Sequence, residues 1–227
     1  GSLEEGTVGA AIDLAVSTDG RYLAAAESSG GGLSVWDSWA FSSGSQTPSV
    51  CSAHSVAFVG GDSNPDRFYV GCGEGLVHYV DLDTSTTPPG LTVSEAIAVN
   101  TGFGDVVALL YAAGDSYVYA VVQDSTIASL HRISISQEGG TDADDLALYG
   151  TFTVTAAALG EQGSPLVLAR ADGFLNFHIR SGDEFAAASL YPNSALGTLE
   201  AVAVSSAADL VLVTDSSEDV VWSFPGS

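Results

Sequence analysis

The sequence has no lysine and no methionine, and all five of its basic residues are arginines. These five stand against 28 acidic residues, so the formal net charge is −23. A surface that binds nucleic acid needs clustered cations to contact phosphates, and binding to an anionic membrane surface requires the same. The composition therefore argues against both kinds of partner. It leaves a basic protein partner, or an adaptation to high salt, as the explanation of the acidity.

Long apolar segments are also missing. An uncharged run such as 106–113 is far shorter than the ~20 residues that cross a bilayer as a helix. Residues 1–5 have none of the features of a signal peptide, and Gly1-Ser2 is interpreted as the remnant of a cleaved tag. We therefore predict no membrane span.

Cysteine is scarce, with Cys51 and Cys72 as the only two, and no N-x-S/T glycosylation site occurs in the chain. Secreted domains usually have more of both. The sequence therefore predicts free thiols and an intracellular location, cytoplasmic or nuclear.

A repeated pattern is present instead. Turns rich in Gly, Asp or Ser precede short apolar strands at a regular spacing of 43, 50, 48 and 46 residues. These strands start near Leu33, Leu76, Thr126, Phe174 and Val220. A period in this range is typical of a β-propeller, in which each unit is a small antiparallel sheet that buries its faces against its neighbours.

The first unit resembles the repeats of the WD-repeat propeller family. It contains the turn 17–20 (Ser-Thr-Asp-Gly), the strand segment 23–25 (Leu-Ala-Ala) and the strand end Trp36-Asp37, while Asp81 takes the terminal aspartate position in the second unit. The resemblance implies adaptor work, in which the propeller holds partner proteins. The residues to which we assign structural roles are Asp19, Gly20, Trp36, Asp37, Asp81 and Trp222.

We predict an all-β fold, a single five-bladed β-propeller of four-stranded antiparallel blades over residues 3–226. The blades are approximately 9–46, 47–99, 100–154, 155–190 and 191–226. The last unit lacks an outer strand, so an N-terminal strand at 3–8 is predicted to pair with it and close the ring. Alanines on the inner strands favour a small number of blades, because the strands converge near the axis. A short helix over 184–190 is the alternative to an outer strand there.

The turns between the second and third strands form the candidate binding site, because each carries an acid on the same face of the propeller. The predicted partner-binding residues are Glu27, Glu74, Asp124, Asp172 and Asp215, with Arg170 balancing Asp172. A ring of carboxylates at the mouth of the channel suits a basic peptide or subunit. Acids also occur in the turns of the opposite face, where Asp is favoured for conformational reasons.

Three acids on the inner strands, Asp13, Asp105 and Glu200, raise the alternative of a glycosidase-like site with two carboxylates. We prefer a role for Asp13 in capping backbone groups of a neighbouring blade. No cluster of aromatic and basic residues surrounds these acids, so we predict no catalytic residue and no enzyme activity.

Two cysteines and two histidines, at Cys51, His54, Cys72 and His78, have the side chains that bind zinc. Buried cysteines and histidines at strand edges are the commoner reading of such a set. We predict no metal and no cofactor.

The sequence therefore favours a non-catalytic protein-protein interaction scaffold of the WD-repeat type, acting as a subunit of a larger complex. One alternative is a five-bladed propeller that binds or hydrolyses carbohydrate. Another is an engineered or truncated repeat domain.

Overall fold

The computed structural model describes residues 10–27, 32–39, 46–61, 64–99, 104–125, 127–135, 143–182, 184–191 and 196–225. Every regular element in these ranges is a β-strand, and the strands form five antiparallel sheets in chain order, here called sheet 1 to sheet 5. In each sheet the first strand pairs with the second and the second with the third. The first strand of each sheet is called its inner strand.

Sheets 1 and 2 have their strands in sequence order. Sheet 1 consists of β1 (Ala11–Val16), β2 (Tyr22–Glu27) and β3 (Leu33–Asp37). Sheet 2 consists of β4 (Ala53–Gly61), β5 (Asn64–Cys72), β6 (Leu76–Asp83), β7 (Gly90–Val93) and β8 (Ile97–Ala98), with β7 and β8 both paired to β6. The segment after Trp39, where the predicted fourth strand of this blade would lie, is described only from Gln46 onward. There the chain returns to sheet 1 through isolated bridges at Gln46 and Ser49.

Sheets 3 to 5 repeat this plan. Sheet 3 consists of β9 (Asp105–Leu110), β10 (Tyr117–Asp124), β11 (Ile127–Ser134) and β12 (Ala143–Thr151). Sheet 4 consists of β13 (Val154–Leu159), β14 (Leu166–Arg170), β15 (Leu175–Ser181) and β16 (Glu184–Tyr191). Sheet 5 consists of β17 (Leu199–Val204), β18 (Leu210–Asp215) and β19 (Val220–Pro225). Residues 184–190 are thus in a strand and not in the alternative helix.

Turn chemistry sets the register of the first hairpin. The Ser17 hydroxyl donates to the Asp19 carboxylate at 2.6 Å, and the Arg21 amide donates to the same carboxylate at 3.0 Å. Gly20 follows with a φ of +72°, which residues with a Cβ rarely adopt. The short polar side chains and the glycine therefore shape the turn that starts β2.

Hydrophobic clusters fill the four spaces between consecutive sheets. Alternate residues of each strand point to opposite faces, so the middle sheets contribute to two clusters each. In sheet 2, for example, Phe68 packs towards sheet 1 while Tyr69 packs towards sheet 3. Burial of each large side chain contributes about 1.5–3 kcal/mol, so the stacking of sheets stabilises the fold more than any single sheet does.

The inner strands lie side by side around a common cavity. Strand β4 packs between β1 and β9, and β13 packs between β9 and β17. Alanines on these strands, among them Ala108, Ala156 and Ala201, line the cavity, as expected where strands converge. Strands β17 and β1 show no comparable packing in the ranges described above. The predicted closing strand 3–8 lies outside those ranges.

The prediction of free thiols is wrong, because Cys51 and Cys72 form a disulfide. Strand pairing places Ala53 opposite Cys72, which brings the Cα atoms of the two cysteines to 6.0 Å. The bridge also occupies both thiols of the hypothetical zinc set. Disulfides form and persist in oxidising compartments, so the intracellular location is left as a prediction without its main support.

Candidate interaction site

We define the front face as the side of the molecule that carries the turn between the second and the third strand of each sheet. The inner strand of each sheet begins on the same side. On this side the turns of sheets 2 and 4 contact the segments that lead into the next inner strands. The Gly75 amide donates to the Gly104 carbonyl at 2.7 Å, and the Leu196 amide donates to the Gly173 carbonyl at 2.9 Å. The recurrence of this contact places the turns of different sheets on one face. The opposite side is the back face.

Three of the predicted partner-binding acids lie on the front face with access to solvent. Glu74 is exposed at the tip of its turn with a φ of 59°. Asp172 is also exposed, and Asp124 is half-buried at the end of β10. In sheet 5 the exposed acids of the corresponding turn are Glu218 and Asp219.

The other two predicted acids, Glu27 and Asp215, are buried, so neither presents its carboxylate as the sequence pattern suggested. Glu27 accepts a hydrogen bond from the Ser34 hydroxyl across the hairpin. Asp215 accepts hydrogen bonds from the Gly197 amide at 2.8 Å and the Ser217 hydroxyl at 2.7 Å. These donors lower the pKa of Asp215, with the Ser217 hydroxyl as the largest contribution. Both carboxylates act within their own sheets.

Arg170 lies at the front end of β14 and pairs with Asp172, as the sequence suggested. Its Nε donates to Asp172 Oδ1 at 2.8 Å, and its Nη1 donates to the Asn176 side-chain oxygen at 3.2 Å. The guanidinium also lies over the Phe152 ring, 4.2 Å from the ring centroid. These contacts hold the arginine against the surface of sheet 4.

A cavity of about 370 Å³ lies between the inner strands, and all five of them line it. Asp13 and Glu200 are among its lining residues, together with His54. The His54 Nε2 atom lies 3.7 Å from Asp105 Oδ1, at the front end of the same cavity. Four ionisable side chains are therefore grouped at the front end of the inner strands.

Asp13 connects sheet 1 to sheet 2. Its carboxylate accepts hydrogen bonds from the Val56 amide on the neighbouring inner strand and from the Leu14 amide, both at 2.9 Å. Burial raises the pKa of Asp13, while the two backbone hydrogen bonds act in the opposite direction. This geometry agrees with the predicted capping of a backbone group in the next sheet.

The cavity offers little to a sugar or to a metal. Among the described residues, no Phe, Tyr or Trp ring on which a sugar could stack lines it. Among the described residues, no group of three or more His, Cys, Asp or Glu side chains is positioned to hold a metal ion. The paired carboxylates therefore have no surrounding features that favour the glycosidase alternative.

The arginines are distributed unevenly between the two faces. Arg170 lies at the front, whereas the other four lie in the back halves of their sheets: Arg21, Arg67, Arg132 and Arg180. Each of the five has a contact within the chain. The pairs are Arg21–Asp37 at 2.8 Å, Arg67–Asp81 at 2.9 Å, Arg180–Asp115, Arg170–Asp172, and Arg132 over the Tyr117 ring.

The aspartates at the terminal position of the first two repeat units both form an ion pair with an arginine. Asp37 and Asp81 each pair with the arginine near the start of the second strand of their own sheet. The arginine Arg21 lowers the pKa of Asp37. Trp36 is buried, whereas Trp222 is partly exposed and donates to Asp215 at 3.4 Å.

Sequence reasoning missed the contacts that join one sheet to the next. The Gln123 side chain accepts from the Val154 amide at 2.8 Å and donates to the Phe152 carbonyl at 3.3 Å. The Ser55 hydroxyl donates to the Val106 carbonyl at 2.7 Å. No local pattern distinguishes these residues, because their partners lie in the following sheet.

Comparisons with known proteins bear on the fold. No protein-family model matches the chain, and no curated protein matches its sequence. Among solved structures, the β-propeller domain of Cps50 (Swd1) from Myceliophteria thermophila superposes with a TM-score of 0.67 at 14% sequence identity. The match covers 96% of this chain and 66% of that one, so the chain spans about two thirds of its structural neighbour. The likeness shows that the chain has a β-propeller fold.

Proposed function

We propose that the protein is a non-catalytic protein-interaction scaffold that binds a basic segment of a protein partner at its front face. The observation that carries this proposal is the charge arrangement of that face. Exposed acids of several sheets lie on that face, among them Glu74, Asp105, Asp172 and Glu200, and Arg170 is the only arginine beside them in the described ranges. A WD-repeat type of adaptor within a larger complex is the specific form that we propose.

The acids of the front face are available to a partner because few of them have a cation nearby. Arg170 pairs with Asp172, whereas Glu74 and Glu200 have no ion pair in the described part of the chain. Their combined field attracts a cationic chain and orients it before contact. A flexible basic segment can approach the turns and extend a lysine or arginine side chain towards the cavity.

The β-propeller fold supports the proposal by shape. Its turns come from different sheets and from distant parts of the sequence, yet they lie together on one rigid surface. This arrangement gives a partner several contact points without any rearrangement of the scaffold. The nonaromatic lining of the cavity gives the carbohydrate alternative no comparable support.

The test uses an arginine-rich peptide and isothermal titration calorimetry at 50 and 500 mM NaCl. We expect binding at low salt and a loss of affinity of roughly tenfold or more at high salt, because exposed charges are screened. The front-face variant Glu74→Gln/Glu200→Gln should weaken binding by about tenfold, since each lost charge pair contributes about 0.5–1 kcal/mol.

The matched control is Glu161→Gln/Glu184→Gln, which makes the same charge change at two exposed positions on the back face. We expect it to reduce affinity less than the front-face variant. Equal effects of the two variants, or affinity that does not depend on salt, would contradict the proposal. A lysine-free, uncharged peptide of the same length serves as the negative ligand.

A further inference from the structure

Strand β16 forms the outer edge of sheet 4. It pairs with β15 from Glu184 to Tyr191, and in the described part of the chain no strand pairs with its other side. Every residue from Ala186 to Tyr191 is exposed. An edge strand presents a row of backbone N–H and C=O groups that its own sheet does not use, and this row is a template for a further strand.

The outer edges of sheets 2 and 3 differ from this one. In sheet 2 the edge is divided between two short strands, β7 and β8, with Glu95 in the segment between them. In sheet 3 the outer strand β12 contains Asp144 and Asp145. Short strands and charged side chains protect a sheet from pairing with another chain. Strand β16 is eight residues long and has no charge between Phe185 and Tyr191, in a chain with 28 acidic residues.

A groove of about 460 Å³ lies beside this edge, on the side of β16 that faces sheet 3. Leu190 of β16 pairs with Asn176, which is opposite Leu168 of the cluster between sheets 3 and 4, so Leu190 faces sheet 3. Ala187 faces the same way, because the pairing of β15 with β16 shifts its register between the two residues. Alternate side chains of a strand added to β16 would therefore point over this groove.

The groove offers apolar surface and little free charge. Leu190 is 50% exposed, and Phe152 lines the groove with it. The Arg170 guanidinium lies over the Phe152 ring, 4.2 Å from the ring centroid, and its charge is balanced by Asp172. These surroundings suit a large uncharged side chain, such as leucine or phenylalanine, on the added strand.

We propose that β16 is a docking edge for an extended, uncharged segment of a partner protein, which adds to sheet 4 as a fifth strand. Backbone hydrogen bonds to β16 hold the segment, and a leucine or phenylalanine of the segment enters the groove beside Leu190. In this mode of recognition the main-chain pairing supplies affinity, and the side chain in the groove supplies specificity.

An uncharged segment suits this edge better than either of two other occupants. The basic segment of the proposed function needs carboxylates, and β16 has none between Phe185 and Tyr191. A second copy would bring together two chains that each have a net charge of −23 and repel each other. Binding at β16 relies on backbone hydrogen bonds and apolar contacts, so it should not weaken at high salt as binding at the front face does.

The test selects peptides from a random nonapeptide library displayed on phage, at 500 mM NaCl, so that attraction between exposed charges is screened. The best peptide is synthesised and its affinity is measured by fluorescence anisotropy. We expect an uncharged sequence with apolar residues at alternate positions. Hydrogen exchange followed by mass spectrometry should show residues 184–191 exchanging about tenfold or more slowly with the peptide bound, because their outward amides gain acceptors.

Two changes test the contacts separately. Leu190→Asp places a charge beside the groove and should weaken peptide binding about tenfold or more. The matched control is Leu212→Asp, the same change at a leucine that is 41% exposed on sheet 5, and it should leave the affinity unchanged. Both sites are exposed in the single chain, and circular dichroism verifies that each variant is folded.

The second change is made in the peptide. Its two alternate sets of amide nitrogens are methylated in separate peptides, and only one set faces β16. The peptide methylated on that set loses its hydrogen-bond donors and should bind about tenfold or more weakly, whereas the other should bind with less loss.

Three results would overturn the proposal. The first is a selection that yields no peptide, or peptides that bind Leu190→Asp as tightly as the wild type. The second is a bound peptide that leaves the exchange of residues 184–191 unchanged. The third is a wild-type chain that sediments as a dimer with residues 184–191 protected before any peptide is added, because a second copy then occupies the edge. None of these results bears on the arginine-rich peptide at the front face, so the two proposals can fail separately.

Discussion

The middle sheets and the end sheets have similar sequences but different surroundings. Leu168 and Leu212 are both the third residue of the second strand of their sheets, β14 and β18. Leu168 is fully buried between sheets 3 and 4, whereas Leu212 is 41% exposed on the face of sheet 5 that is turned away from sheet 4. The pattern of apolar residues along a strand therefore does not decide burial. Burial is decided by whether a neighbouring sheet packs against each side of the strand.

The largest difference should appear when these two leucines are truncated. Leu168→Ala removes a side chain from a closed cluster and should lower the free energy of unfolding by about 2–5 kcal/mol. Leu212→Ala removes a side chain that is already partly in water, so the loss should stay below about 1 kcal/mol. Urea denaturation monitored by tryptophan fluorescence measures both values. Similar losses would show that the end face is covered in solution.

The disulfide tests how much a covalent bond adds to a middle sheet. The double variant Cys51→Ala/Cys72→Ala opens a loop with a sequence separation of 21 residues. From the entropy of the unfolded chain we expect a loss of roughly 3 kcal/mol. The wild-type chain under reducing conditions should show the same loss. If neither treatment changes the denaturation midpoint, the two cysteines are not bridged in solution.

A buried histidine of sheet 4 should make stability depend on pH. Burial lowers the pKa of His178 to about 4, from an ordinary value of 6.5. Because the folded pKa lies below the unfolded one, the unfolded chain binds a proton first as the pH falls, and stability is lost between pH 6.5 and 4. Between pH 7 and 5 this amounts to roughly 1–2 kcal/mol.

The measurement compares unfolding of the wild type and of His178→Phe at the two pH values. Phenylalanine has a ring of similar shape and does not titrate, so its variant should lose less stability on acidification. The absolute stability of the variant at pH 7 does not enter the comparison. An unchanged pH slope would assign the acid sensitivity to other groups.

The smallest effect concerns the junction between an end sheet and a middle sheet. Asp13→Ala leaves the Val56 amide without its acceptor and should lower the free energy of unfolding by about 1 kcal/mol. Asp13→Asn keeps an acceptor oxygen at that position and should be closer to the wild type. Chemical denaturation at neutral pH distinguishes the two variants. If asparagine costs as much as alanine, the charge of Asp13 matters more than its hydrogen bond.

Most strands were predictable from the sequence. The third strand of every sheet starts within one residue of its predicted position, because apolar runs and Gly- or Asp-rich turns act locally. The β-propeller class followed from the period of these strands, and the structural comparison agrees with it. The five-blade count and the closure of the ring stay predictions.

The candidate site was predictable only in part. The sequence pattern identified the acids of the second turns, but it treated all of them alike. Glu27 and Asp215 are buried and accept hydrogen bonds from nearby donors, such as Ser34 and Gly197. No sequence pattern marks these donors. The separation of the arginines from the front face also became visible only when the strand directions were known.

By itself, the sequence determined the β-strands, the hairpin turns and the strong negative charge, since each depends on the residue types themselves or on near neighbours. Tertiary structure decided which faces are covered, which carboxylates remain free and which cysteines are joined. The physical reason is that burial and pairing depend on residues that are distant in the chain. Cys51 and Cys72 illustrate this, because only the pairing of β4 with β5 brings them within bonding distance.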